Sequence, residues 1–463
     1  MRRAVKNAFA LGVAGLLLAG CRIPVQDRPA STLDIPAGWR APTAQVGPDA
    51  AVEREWWRAF GDPALDALVA QALARNADLR TAQSRLQEYQ ARIRVARSAQ
   101  EPNLSLAVGP TRARAIGPFG TTVETTSITG NVQAAYEFDP FGRLEAATRA
   151  ARFDYAAQQA AADAVALSVA ANTASGYLNL RGLDAQLALA RATLASRQQT
   201  LELARRQFEV GYSSRLELSQ AEAEYRTTAA VVPQLERAIT QQENALAVLA
   251  GASPRPVARG AVLIQLRAPA IAPGLPSALL RRRPDIAQAE RSVAAADASL
   301  AAARDQMLPS LRLTASVGGY AHNLPDLLGA GTTLWSVGGS VLAPLFDAGR
   351  LRAQAEISAS LRDRAVFAYE AVVRNAFAET ENALSGVQRL GEQLAQAEAR
   401  RVAAAEVLRI AHNRYRNGYS SYLEELDAQR NAFSAETNAL QLRASWLAAH
   451  VDLYRALGGG WQP

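Results

Sequence analysis

Cys21, the single cysteine in this chain of 463 residues, carries the side chain best suited to covalent chemistry. A lone thiol cannot form an internal disulfide, and a cysteine-based metal site needs several such ligands. The three histidines, His322, His412 and His450, lie too far apart in sequence to show the spacing of metal ligands. We therefore expect no metal or other cofactor, and the chemistry left to the thiol is covalent modification.

The segment before Cys21 has the features of a bacterial export signal. A basic start precedes a short apolar run, residues 8–18, which is too short to cross a membrane as a helix. The Leu-Ala-Gly-Cys sequence at 18–21 resembles a lipobox, whose cysteine thiol accepts a lipid. Arg22 follows, where an aspartate would favour retention in the inner membrane. We predict a signal peptide over residues 1–20 and a lipid on Cys21. A buried cysteine behind an ordinary signal peptide is the alternative.

Charge distribution and motifs argue against two other classes of protein. The net charge is +7, but the arginines are spread along the whole chain and form no basic patch interleaved with aromatic residues. Nucleic-acid-binding proteins usually cluster their basic charge, so we expect no nucleic-acid partner. The sequence contains no nucleophile motif, phosphate-binding loop or metal-ligand spacing, and we therefore expect no enzyme activity.

The elements that must position any functional residue recur at a constant offset. Gly-Tyr-Ser-Ser at 211–214 returns at 418–421, and Gly-Arg-Leu at 142–144 returns at 349–351, so both shifts are 207 residues (418 − 211 and 349 − 142). Several matches in one register indicate a duplication. The predicted divisions are a lipidated N-terminal segment (21–60), a first copy (61–252), a proline-rich linker (253–276) and a second copy (277–463).

Each copy is predicted to contain a helix, two strands, a long helix, a turn and another helix. The first helix runs from 63 to 100, where good helix formers predominate. The long helices are expected at about 142–207 and 349–415, and the helices after the turns at about 214–250 and 421–457. A helix as long as the longest two would extend on the order of 100 Å, which suits a coiled coil.

Strands are predicted at about 103–112, 124–138, 310–320 and 333–345, where apolar and polar residues alternate. Each strand would have one apolar and one polar face, as in a membrane barrel that is apolar outside and polar inside. The alternative is a soluble hairpin packed on the helices. Four strands cannot close a barrel, and a bilayer does not tolerate unpaired strand edges, so several copies would have to combine their strands. Periodicity alone is compatible with a dimer, a trimer or a tetramer.

Several stretches of the sequence carry a family resemblance. They are Trp-Trp-Arg-Ala-Phe-Gly-Asp-Pro (56–63), Tyr-Glu-Phe-Asp (136–139), Arg-Arg-Pro-Asp-Ile (282–286), Phe-Asp-Ala-Gly-Arg (346–350) and Tyr-Leu-Glu-Glu-Leu-Asp-Ala-Gln-Arg (422–430). Together with the duplication, they resemble the TolC-like outer-membrane factor family, in its NodT-type branch of efflux lipoproteins. The resemblance extends over nearly all of the chain after Cys21.

This resemblance implies a mainly helical protein with a membrane β-barrel. Three copies of four strands each would form a twelve-stranded barrel in the outer membrane, joined to an α-helical barrel that projects into the periplasm. The implied partners are two further copies of the chain, outer-membrane lipid, a periplasmic adaptor protein and an inner-membrane pump. The implied function is the exit duct of a tripartite efflux system for small molecules such as drugs. A duct for type I protein secretion and a non-transporting coiled-coil lipoprotein of the envelope are the alternatives.

The resemblance also assigns two groups of site residues. The family's periplasmic constriction corresponds here to Leu423, Asp427 and Arg430. Leu423 would plug the resting channel, and the two charged residues would hold the tips closed. From spacing alone, Asp427 and Arg430 could instead form a solvated ion pair on one helix. The adaptor would dock on the turns, whose residues could also serve only to shape them: Val210, Gly211, Tyr212, Ser213, Gly418, Tyr419 and Ser420.

Overall fold

The computed structural model describes residues 27–40, 53–271, 273–323, 325–328 and 333–462, so Cys21 and the predicted signal peptide lie outside the described residues. The helices are α1 (Pro63–Arg75), α2 (Ala77–Ser98), α3 (Arg143–Glu209), α4 (Arg215–Leu249), α5 (Pro276–Arg282), α6 (Pro284–Asp305), α7 (Arg350–Arg416) and α8 (Tyr422–Ala456). The strands are β1 (Asn103–Ile116), β2 (Thr122–Phe138), β3 (Ser310–Ala321) and β4 (Thr333–Leu342). None of the helices in this described part of the chain combines the length and apolarity that a membrane crossing requires.

The first helix of the first copy is broken at Asn76, so the prediction of one helix from 63 to 100 is wrong. The Asn76 backbone is extended, with ψ at 138°. Its side-chain Oδ1 accepts hydrogen bonds from the backbone N–H groups of Asp78 at 2.8 Å and Leu79 at 3.3 Å. The asparagine therefore ends α1 and caps the first turn of α2.

The second copy breaks its first helix at the corresponding position, Arg283. Pro284 disfavours a helical conformation for the residue before it, and the Arg283 backbone is extended, with ψ at 125°. The buried Arg283 guanidinium donates to Asp285 at 2.6 Å, to Glu379 at 2.7 Å and to the backbone carbonyl of Ala456 at 3.1 Å. This part of the Arg-Arg-Pro-Asp-Ile stretch therefore ties the break to α7 and to the end of α8.

The helices after the strands have equal lengths in the two copies. α3 and α7 each have 67 residues, and α4 and α8 each have 35. The turns between them contain Gly211 (φ 74°) and Gly418 (φ 77°), in a left-handed conformation that favours glycine. Ser214 Oγ accepts a hydrogen bond from the Glu217 N–H at 3.2 Å and caps α4. In the described part of the chain, Ser421 makes no such bond at the start of α8.

The described strands form one antiparallel sheet in the order β1-β2-β3-β4. One row of opposite residues across the sheet is Leu106, Val132, Val317 and Trp335. Residues directly opposite each other point to the same face, so the apolar positions predicted for the separate strands fall on one face of the sheet. Ser316 and Ser336 lie opposite each other on the other face and share a hydrogen bond of 2.7 Å.

β2 begins two residues before the predicted start, at Thr122, and β3 ends one residue after the predicted end, at Ala321. The other two strands differ by more. β1 continues beyond 112 to Ile116, and the chain then turns at 117–120, where Gly120 has a φ of 73°. β4 ends at Leu342 rather than at 345, because Pro344 lacks the N–H group that would continue the ladder. The boundaries therefore follow the turn glycine and the proline rather than the end of the alternating pattern.

The chain divides into two compact units. One takes the described residues within Met1–Thr32, Arg85–Gln159 and Gln288–Glu370, and the other takes those within Leu33–Ser84, Ala160–Ala287 and Ala371–Pro463. The first unit contains the sheet. The second unit contains the turns and a large core, in which Trp56, Phe60, Tyr177, Leu447 and Val451 are buried together. The Trp-Trp-Arg-Ala-Phe-Gly-Asp-Pro stretch is thus part of the packing of the second unit.

Candidate functional site at the helix turns

The predicted docking residues lie in the two turns of the second unit. Val210, Gly211, Tyr212 and Ser213 lie between α3 and α4, and Gly418, Tyr419 and Ser420 lie between α7 and α8. Tyr212 and Tyr419 hold equivalent positions in the two copies and are 87% and 78% exposed. A Cβ added to Gly211 or Gly418 would meet no atom within 4 Å, so backbone conformation rather than crowding selects glycine there. The turns therefore present a matched pair of aromatic side chains to solvent.

The predicted gate residues lie on the first three turns of α8. Leu423 is 59% exposed. The Asp427 carboxylate accepts a hydrogen bond from the Asn431 side chain at 3.0 Å, and Arg430 Nε donates to Glu224 of α4 at 2.8 Å. Arg430 therefore pairs with a carboxylate of the first copy, and the alternative of a local pair with Asp427 on one helix does not describe it.

Glu224 also contacts a second arginine, Arg197 of α3. Arg197 Nη1 lies 2.5 Å from the Glu224 carboxylate and contacts the Thr228 hydroxyl, and the guanidinium carbon lies 5.5 Å from the centre of the Phe433 ring. Burial lowers the pKa of Arg197 below its ordinary value, and the neighbouring Glu224 charge offsets this effect only in part. A buried ion pair therefore lies directly behind Arg430.

A second buried carboxylate, Glu425, lies one turn after the start of α8. Its Oε1 accepts a hydrogen bond from the Gln429 amide at 3.0 Å and lies 2.8 Å from His412 Nδ1. Burial, together with the neighbouring Glu425 charge, raises the pKa of Tyr422 to about 12. Within the described ranges, no group of three or more His, Cys, Asp or Glu side chains could hold a metal ion.

Comparison with known proteins gives two matches within this one chain. The profile of the family described as outer membrane efflux protein matches residues 68–252 and again residues 275–459. Both ends of the second match lie 207 residues after those of the first (275 − 68 and 459 − 252), which is the offset of the internal repeat. The chain belongs to the outer membrane efflux protein family.

Individual efflux proteins match over nearly their whole length. The toluene efflux pump outer membrane protein TtgF of Pseudomonas putida is 36% identical, over 98% of this chain and 96% of TtgF. The antibiotic efflux pump outer membrane protein ArpC of Pseudomonas putida is 34% identical, again over 98% and 96%. The open state of the Neisseria gonorrhoeae MtrE outer membrane channel has a TM-score of 0.84 at 31% identity, covering 96% of this chain and 99% of that one.

These matches confirm the predicted family, fold class, location and general function. The chain is an outer membrane channel protein of efflux, mainly helical, with strands contributed by two tandem copies. The family is one of channels rather than of enzymes.

The sheet of this efflux protein exposes its apolar face within the first unit. Leu104, Leu106, Trp335 and Val337 are all exposed, although each carries a large apolar side chain. A soluble hairpin packed on helices would bury that face, so that alternative is contradicted. An exposed apolar sheet face of this kind suits contact with lipid.

Glu224 is the buried partner of the predicted gate residue Arg430 that sequence reasoning missed. A signal for it was present, because Ala221, Glu224 and Thr228 follow one another at the spacing of a single helix face. Ala221 and Thr228 are buried, and a carboxylate between them has to be paired. Its partners could not be named from spacing, because Arg430 is 206 positions away.

Proposed function

We propose that three copies of this chain form the exit duct of a tripartite efflux system for small molecules such as drugs. The observation that carries this proposal is the open sheet, in which β1 and β4 each have one unpaired edge among the described strands, while the apolar face is exposed. Lipid does not tolerate unpaired strand edges, so the edges must pair with other copies. Three copies of four strands would give an even number of strands, within the range of known outer-membrane barrels.

The cargo and partners follow from the same arrangement. The names of the matched relatives refer to efflux of toluene and of antibiotics, which supports small organic molecules as cargo. An exit duct needs no selective pocket, so an inner-membrane pump would select the substrate. A periplasmic adaptor would dock on the exposed turns around Tyr212 and Tyr419. The lipid on Cys21 would tether the assembly to the outer membrane.

The proposed gate consists of Leu423, Asp427 and Arg430. Leu423 projects an exposed apolar side chain from the first turn of α8. This position fits a plug to which each chain of the trimer contributes one leucine. One nitrogen of Arg430 donates a hydrogen bond to Glu224, yet the side chain is about half exposed. Its other N–H groups can therefore also reach a carboxylate of a neighbouring chain in the trimer. Ion pairs of this kind between copies would hold the tips closed at rest.

Light scattering and negative-stain imaging of the detergent-extracted particle test the duct. We expect a threefold particle whose length exceeds its width several times. A compact monomer would contradict the duct and would favour a lipoprotein that braces the envelope without transporting anything.

Planar-bilayer recording tests the gate. Arg430→Ala should raise single-channel conductance and sensitise cells to large antibiotics, because an ion pair that closes the tips is lost. Arg409→Ala is the matched control, since Arg409 is exposed and pairs with Glu406 on the same helix. Conductance of Arg430→Ala equal to that of Arg409→Ala would argue against a gate at this position.

A further inference from the structure

The buried carboxylate of Glu224 is shared between two arginines of different exposure. Its Oε2 accepts the hydrogen bond from Arg430 Nε, and its Oε1 contacts Arg197 Nη1. The side chains of Arg197 and Glu224 are 5% and 6% exposed, whereas that of Arg430 is 55% exposed. One oxygen of the carboxylate thus neutralises a buried cation, and the other holds a cation that reaches the surface.

The bond to Glu224 uses only one of the donors of Arg430. A guanidinium has five N–H donors in a fixed planar fork, so binding at Nε sets the plane and the direction of the rest. The exposed remainder can bind a second carboxylate. An arginine whose orientation is fixed in advance loses less side-chain entropy when it forms such a bond.

The two copies of the repeat treat the two charged gate residues in a related way. Position 224 of the first copy corresponds to position 431 of the second, because both lie 207 residues apart (431 − 224). Glu224 holds Arg430, and Asn431 holds Asp427 through the 3.0 Å hydrogen bond. The side chains at these two equivalent positions therefore form hydrogen bonds with the two charged residues of the gate, Glu224 with the arginine and Asn431 with the aspartate.

We propose that Glu224 is a positioning residue of the gate. It orients Arg430 so that the free N–H groups of Arg430 face a carboxylate of a neighbouring chain in the trimer. This inference rests on the proposed function, in which Arg430 helps to close the channel. The buried ion pair with Arg197 holds the Glu224 carboxylate in place. Each chain would carry one such support, formed by α3 and α4 of the first copy for a residue of the second.

The test combines Glu224→Gln with Arg430→Ala in planar bilayers. Glu224→Gln keeps the size of the side chain and removes the charge. We expect it to raise single-channel conductance to the level of Arg430→Ala, and the double variant should conduct no more than Arg430→Ala alone. The melting temperature should fall in both backgrounds, because Arg197 loses its partner in each. The effect of Glu224→Gln on conductance should thus require Arg430, whereas its effect on melting temperature should not. A purely structural role of Glu224 would not produce this difference.

Glu222→Gln is the matched control. Glu222 lies two positions away on the same helix, is about half exposed and pairs with Arg205 at 3.5 Å. It should change neither conductance nor melting temperature by more than a small amount. If Glu224→Gln leaves the buried Arg197 charge so costly that the protein does not fold, Arg197→Met/Glu224→Gln removes both buried charges and releases Arg430 in the same way.

Native conductance for Glu224→Gln, or for the paired Arg197→Met/Glu224→Gln variant, beside raised conductance for Arg430→Ala would overturn the role of Glu224 and leave the duct intact. Lower conductance than in the native protein would overturn it too, since Glu224 would then compete for Arg430 rather than orient it. Failure of the native protein to form channels at all would instead refute the proposed function, and this inference with it.

Discussion

At the scale of single residues, buried groups that titrate near neutral pH connect folding to the pH of the surroundings. His450 is buried on α8, where its Nδ1 lies 2.8 Å from the Trp446 carbonyl and its ring packs edge-on against the Trp446 indole at 4.8 Å. Burial lowers the pKa of His450 below its ordinary value of 6.5. The folded state therefore binds fewer protons than the unfolded state as the pH falls through that value, and the stability of the fold decreases with it.

Replacement of His450 should remove this part of the pH dependence. His450→Asn keeps a donor near the Trp446 carbonyl but cannot titrate. We expect its melting temperature to change less than that of the native protein between about pH 7.5 and about pH 5.5. His322→Asn, at an exposed histidine, should retain the native pH dependence. An unchanged pH dependence in His450→Asn would show that other groups determine it.

The side-chain partners of the predicted gate residues could not be identified from the sequence. Spacing on one helix can suggest partners three or four positions apart, and it suggested Asp427 for Arg430. The partner found, Glu224, comes from the other copy, and only the packing of α4 beside α8 brings it within reach. The burial of Glu425 beside His412 has the same origin, because it too depends on contacts between helices.

At the scale of elements, side-chain caps decide where helices end. Asn76 ends α1, caps α2 and also donates from its amide to the Leu249 carbonyl at 3.0 Å. Asn76→Ala should lower the free energy of unfolding by about 0.5–2 kcal/mol, which urea titration followed by circular dichroism would measure. Thr81→Ala on the same helix removes only a bond to the carbonyl four residues back and should cost less. Equal losses in the two variants would show that the cap is unimportant.

The long helices and the strands could be predicted because they have strong and uninterrupted periodicity. Long proline-free runs indicate helices, and alternation over about ten residues indicates strands with one apolar face. The break at Asn76 could not be predicted in the same way, because one asparagine within a helical pattern is compatible with either a cap or a helix interior. Pro284 was the better signal, because it predicts a helix break at the residue before it, Arg283. The offset of the repeat would have placed the corresponding break of the first copy at position 76 (283 − 207).

At the scale of the whole molecule, the proposed lipid on Cys21 would make the chain an anchored protein as well as a channel. Cys21→Ala should incorporate no radiolabelled palmitate, whereas the native protein should, because the thiol is the single acceptor of its kind in the sequence. Trimers should still form, since strand pairing does not involve the lipid. Palmitate labelling of Cys21→Ala equal to that of the native protein would refute the lipid on this residue.

The number of chains in the barrel could not be derived from the strands, because closed barrels of eight, twelve or sixteen strands all show the same alternation of apolar and polar faces. The choice of a trimer comes from the family resemblance. By contrast, the duplication was readable directly, since both copies keep one register over most of their length.

Equal helix lengths in the two copies also restrict how this chain can diverge in evolution. The core at the turns takes Leu201 and Leu218 from the first copy and Tyr422 and Leu426 from the second, so both turns contribute to the same cluster. An insertion of about seven residues in α3 alone would shift the first turn by roughly 10 Å and take its side chains out of that cluster. Substitutions carry no such penalty. Descendants of this sequence are therefore expected to lose internal identity while keeping the period of the repeat, and to gain or lose helix residues only by matched changes in both copies.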